Sequence, residues 1–191
     1  MNVGLLILSL LVASLPASAA VVTGRVTIES GAPVGDFAVR IDYTDTQSFF
    51  NDLVLSTVDA DTFGIAGFTL GSPFSAYLVA DGATFTPAYA SGNTPLASNI
   101  DSSGIGNQFD ILVGQSVFLA FYTEELLPDG PSFGDQYAWI EISNTGSGLT
   151  SLGDATALDT GGIIVGTTTS VPEPGFALIV LGLCGFYRRR R

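Results

Sequence analysis

Apolar side chains recur at every second position in short runs through most of this chain, and Gly, Pro, Asp and Ser separate the runs. Val22, Gly24, Val26 and Ile28 alternate with Thr23, Arg25, Thr27 and Glu29; Phe37, Val39, Ile41 and Tyr43 alternate with Ala38, Arg40 and Asp42. Successive side chains of a strand point to opposite faces, so a period of two builds a strand with one face in a core and the other in water. Arg25 and Arg40 both fall on the polar faces, where a cross-strand pairing with Glu29 or Asp42 would contribute little. Further strands are expected at 53–57, 63–70, 76–80, 83–86, 109–113, 116–122, 137–143, 155–158 and 163–165. No stretch carries a convincing helical period, and no repeat of solenoid or propeller length is present. About ten short strands with turn residues between them predict an all-β fold, an antiparallel β-sandwich that is jelly-roll-like. It should occupy 20–166, one domain large enough for a real core, followed by a polar linker at 167–170.

The turns carry finer expectations. Asp81-Gly82 suits the positive φ values of a type I′ turn and predicts a hairpin of 76–80 with 83–86. Pro87 then ends the second arm or makes it an edge strand. Gly114-Gln115 predicts a second hairpin, of type II′, joining 109–113 to 116–122. In 116–122, Val117, Leu119 and Phe121 share one face and Phe118, Ala120 and Tyr122 the other, so this strand should be central and covered on both sides. Residues 90–107 and 124–135 read as long loops, and 146–154 as a turn-rich connection.

The two ends of the chain differ from this middle. Residues 3–12 are nearly all apolar, Pro16 breaks the run, and Ala17 and Ala19 flank Ser18 as the small residues that a signal peptidase needs. Residues 1–19 thus read as a secretory signal peptide, with cleavage after Ala19 leaving Ala20 as the first residue, cleavage after Ala20 as the alternative, and the Sec translocon as the route out. At the other end, 175–187 carries no charge and is followed by Arg188, Arg189, Arg190 and Arg191. As a helix those positions would cover roughly 20 Å, short of the roughly 30 Å hydrocarbon core of a bilayer. Terminal arginines snorkel, lengthen an undersized span and stay on the cytoplasmic side. A short transmembrane helix acting as a transient stop is the expectation.

Just before that helix stand Val171, Pro172, Glu173 and Pro174. The prolines hold this strip extended. Together with the apolar run and the arginine tail, it resembles the C-terminal sorting signal of PEP-CTERM proteins, so that 171–191 is similar to a complete signal of that family. The resemblance implies recognition by exosortase, a membrane-embedded transpeptidase-like enzyme of Gram-negative, exopolysaccharide-producing bacteria, and removal of the apolar tail. It implies localisation first at the inner membrane and then at the cell surface or in the extracellular matrix. Gly175 departs from the family's usual small hydroxyl residue.

Composition narrows the chemistry. The sequence has no histidine, its six basic residues are all arginines, and its single cysteine is Cys184 in the apolar tail. That removes the Ser-His-Asp triad, histidine zinc sites, lysine and cysteine nucleophiles, and disulfides from 20–170. Of eighteen acidic residues all but Glu173 lie in 20–170, against Arg25 and Arg40, a balance of 2 − 17 = −15. Such a domain repels phosphate backbones, so nucleic acid is not an expected partner.

Two-carboxylate hydrolysis survives this filter, but Glu124 and Glu125 read as solvated loop charges, and the chain is expected not to be an enzyme. No cofactor is expected apart from Ca²⁺, for which Asp59 with Asp61, or Asp42 with Asp45, offer hard oxygen ligands. Turn formation is the alternative use of these aspartates. Tyr137, Trp139 and Glu141 share one face of a strand. They form either an exposed platform for sugar rings or, if the sheet is covered on both sides, part of the core. Two functions stay open: a non-enzymatic exported surface or matrix protein associated with exopolysaccharide, and a carbohydrate-binding or carbohydrate-active module.

Overall fold

The alternating residues at 26–41 pair as the period of two requires. Val26 faces Ile41 and Ile28 faces Val39 across an antiparallel ladder, and Arg40 meets Glu29 at 3.4 Å on its solvent side. Half-exposed pairs of this kind contribute about 0–1 kcal/mol; the apolar side of the ladder does the stabilising.

The structure, a computed structural model, describes residues 21–30, 36–41, 51–68, 74–98, 107–123, 136–158 and 160–171. The signal peptide at 1–19, Pro172 to Pro174, the apolar tail, the arginines at 188–191, Asp42 with Asp45 and Glu124 with Glu125 lie outside the described residues.

In chain order the strands are β1 (Val21–Val22), β2 (Val26–Ser30), β3 (Asp36–Ile41), β4 (Asn51–Thr57), β5 (Thr62–Phe68), β6 (Phe74–Val79) and β7 (Thr84–Phe85). A short helix α1 (Pro87–Gly92) follows, then β8 (Ala97–Ser98), β9 (Gln108–Asp110), β10 (Ser116–Thr123), β11 (Gln136–Asn144), β12 (Leu149–Leu158), β13 (Gly162–Ile164) and β14 (Thr169–Val171). Every strand pairing among the described residues is antiparallel. Three sheets result, with orders β1-β12-β11-β10-β6-β8, β2-β3-β4-β5-β9 and β14-β13-β7. No helix among the described residues is long and apolar enough to cross a membrane.

One apolar cluster draws on two sheets: Val39, Ile41, Leu53 and Leu55 from the five-stranded sheet meet Leu119, Phe121, Ile140 and Ile142 from the six-stranded one. Each fully buried side chain of this size contributes about 1.5–3 kcal/mol. A second cluster lies on the opposite face of the six-stranded sheet, where Tyr77, Ala120, Tyr137 and Trp139 pack with Phe85 of β7 and Ile163 of β13. β10 is therefore covered on both sides, as its two apolar faces predicted.

Both predicted hairpins are corrected. The Asp81-Gly82 turn forms, with Gly82 at φ +72° and the Ala83 N–H donating to the Ala80 carbonyl at 3.2 Å. Its arms part company: β6 pairs with β10 and β8, while β7 pairs with β13. Gly82 N–H donates to the Val165 carbonyl and Val165 N–H to that of Ala83, both at 3.0 Å, which captures the second arm. Likewise β9 joins β5 and β10 joins β11. Their connection is a turn closed by the Gln115 N–H on the Leu112 carbonyl at 2.8 Å. Gly114 stands third in it at φ +82°, where a type II turn wants glycine, and not second as in type II′. A turn motif encodes a reversal of direction; which strand the arms then join depends on the layers available.

Four further expectations change. Pro87 opens α1: Thr86 caps it by accepting from the Tyr89 N–H at 3.3 Å, and proline is favoured at the first helical position. The connection expected at 146–154 mostly belongs to β12, which pairs along β11 through a bulge that leaves Leu152 unpaired and 59% exposed. The linker expected at 167–170 is structured, since Thr169 and Ser170 pair with Ile164 and Ile163 in β13 and β14 runs on to Val171. Finally, successive strands of a jelly roll alternate between its sheets, whereas β2 to β5 and β10 to β12 are sequential neighbours within theirs.

Candidate functional site

Residues 137, 139 and 141 lie on one side of β11, as their spacing requires, but that side is roofed. Tyr137 is fully buried, 6.1 Å from the Phe85 ring in an edge-on contact and 5.2 Å from the Tyr122 ring. Trp139 is 6% exposed, lies 5.9 Å from the Phe118 ring and donates its indole Nε1–H to the Thr167 carbonyl at 2.9 Å. Glu141, half-buried at the sheet's end, accepts from the Ser116 hydroxyl at 2.6 Å. The exposed sugar platform of Tyr137, Trp139 and Glu141 is thus not what the chain builds. The small sheet and α1 cover this face, and both aromatic residues are core.

Trp139 nevertheless lines a surface groove of about 540 Å³. Gly153 and Asp154 of β12, Gly24 of the β1–β2 bend, and Thr167 and Thr168 of the β13–β14 turn line it around the indole. Asp154 is the only acidic side chain among the lining residues. Its Oδ1 accepts from the Gly24 N–H at 2.9 Å, and its Oδ2 from the N–H groups of Arg25 at 2.8 Å and Val26 at 2.9 Å. Hydrogen bonds to an ionised acceptor are the strong kind, so this carboxylate fastens the bend between β1 and β2, where the chain passes from the six-stranded to the five-stranded sheet.

The candidate calcium ligands Asp59 and Asp61 are occupied in another way. Asp59 Oδ1 accepts from the N–H groups of Asp61 at 3.0 Å and Thr62 at 2.8 Å, a side-chain-closed turn. Those bonds, that to Asp61 first, hold its carboxyl below the ordinary aspartate range. Asp61 Oδ1 accepts from the Val113 N–H at 3.0 Å. No group of three or more metal-ligating side chains occurs among the described residues.

Sequence reasoning missed Asn144. It is 2% exposed; its Nδ2 donates to the carbonyls of Ala60 and Ile111, and its Oδ1 accepts from the Gly146 N–H, all at 2.8 Å. Three turns at one end of the sheets meet on this side chain. The available signal was an Asn at a strand end directly before Thr145-Gly146-Ser147-Gly148, where glycine-rich backbone leaves N–H and C=O groups in need of partners.

Compared with known proteins, the chain matches no family model, no curated protein and no solved structure.

Proposed function

We propose that this chain is an exported, non-enzymatic protein of the cell surface or extracellular matrix. Its signal peptide at 1–19 takes it through the Sec translocon and is cut by signal peptidase after Ala19. The apolar stretch at 175–187 and Arg188 to Arg191 hold it at the inner membrane, and exosortase processes it near Pro172-Glu173-Pro174. The released domain, an antiparallel β-sandwich, associates with exopolysaccharide. The observation that carries this reading is the conjunction of an apolar run ending in Ala17-Ser18-Ala19 with a Val-Pro-Glu-Pro strip, a short apolar run and an arginine end. The apolar cluster shared by the five- and six-stranded sheets supports the sandwich.

β14 reaches Val171, whose carbonyl accepts from the Gly161 N–H at 2.8 Å. Residues 172–174 span at most about 10 Å when extended, so the processing enzyme would work close against the small sheet. Fractionation of producing cells tests the export step. The protein is expected outside the cytoplasm, and a chain confined to the cytoplasm would sink the proposal.

A further inference from the structure

Gly153 sits in the middle of β12 opposite Glu141, without a positive φ that would require glycine. A Cβ built there would lie 3.8 Å from Cη2 and Cζ3 of Trp139, an ordinary van der Waals contact. A side chain would therefore fit and would cover the six-membered ring of the indole, which glycine leaves next to the groove that both residues line. The opposite end of the indole is fixed by its bond to the Thr167 carbonyl, so the apolar carbons are presented by a rigid group.

The walls are polar. Thr23 and Thr168 are exposed threonines lining the groove. Asp154, whose carboxylate accepts three N–H groups, adds an acidic polar wall. A volume of about 540 Å³ lies within the range of small-molecule sites. The charge of −15 over 20–170 opposes anionic ligands.

We infer that this groove is a subsite for a neutral sugar unit, its C–H groups in van der Waals contact with the six-membered ring of Trp139 and its hydroxyls on Thr23, Thr168 and Asp154. The inference deepens the matrix reading by giving it a point of contact. Its test uses purified protein, so a negative result leaves the export reading untouched.

Trp139 is the only tryptophan, and its fluorescence therefore reports the groove directly. The purified full chain, in a detergent without a sugar headgroup, is titrated with neutral tetrasaccharides: β-1,4-linked glucose, α-1,4-linked glucose and mannose. A saturable change in emission is expected with at least one of them. Gly153→Leu is expected to keep the wild-type melting temperature and weaken binding at least about tenfold, and Thr168→Ala to weaken it about threefold. No saturable change with any of the three, or unchanged affinity in either folded variant, overturns the subsite. Binding of an anionic galacturonate oligomer in preference to the neutral sugars overturns the assignment to a neutral ligand.

Discussion

Replacing Asn144 with alanine is expected to destabilise the fold by about 3–5 kcal/mol, a fall in melting temperature on the order of 10 °C for a domain of this size. The side chain closes three bonds at 2.8 Å from a position that is 2% exposed: to the β4–β5 turn at Ala60, to the segment before β10 at Ile111, and to its own β11–β12 turn at Gly146. Alanine leaves two carbonyls and one N–H without their partner, and each such buried group costs about 1–3 kcal/mol. Asn144→Asp separates the cause from mere loss of volume. It keeps the acceptor for Gly146 but turns a carboxylate oxygen toward two carbonyl oxygens. It should be the worse variant at neutral pH and recover part of the loss in acid, where the protonated oxygen can donate once. Urea unfolding followed by circular dichroism measures both; an alanine variant within 1 kcal/mol of wild type would remove Asn144 from its role.

Gly162→Ala is expected to detach the three-stranded sheet while leaving the larger two in place. Gly162 has φ +146°, and a Cβ there would collide with the carbonyl oxygen of Phe85 and come within 2.8 Å of Thr86 Cγ2. The colliding oxygen is backbone and belongs to a residue paired with Ile163, so relief means separating β7 from β13. Strain at an unsuitable φ costs about 1–3 kcal/mol alone, and losing the cover of Tyr137 and Trp139 adds exposure of an aromatic core. The expected signature is a red shift of the Trp139 emission and binding of a hydrophobic dye, with most β-sheet dichroism retained. Wild-type emission and melting in the alanine variant would show that the small sheet tolerates the methyl group.

The strands themselves were legible in the residues because a period of two is a local property. β3, β4, β10 and β11 stand where alternation puts them, whereas the alternating run at 22–29 is broken at 23–25, so that β1 and β2 join different sheets. The two apolar faces of 116–122 were enough to anticipate a covered strand. Strand partners were not legible, since Asp81-Gly82 and Gly114-Gln115 specify reversals and the pairing of their arms depends on distant residues such as Val165. Pro87 illustrates a related ambiguity: the residue that ends β7 also suits the first position of a helix, and only the packing of Tyr89 and Ala90 against the aromatic cluster settles which use it has.

For the site, Trp139 was named from its strand face, but its partners were not. Tyr137 and Glu141 share its face by spacing, whereas the groove is completed by Gly153, Asp154 and Thr168, which arrive from other strands and turns. A glycine whose importance lies in what it leaves uncovered has no local signature.

Export with trimming at both ends is tested most directly by the intact mass of the protein recovered from outside producing cells. The expected mass is that of a chain beginning at Ala20 and ending near Pro174, without the apolar tail or Arg188 to Arg191. A mass that still includes Met1 and Arg191 would contradict it, and would return the two ends of the chain to being uncut parts of the mature protein.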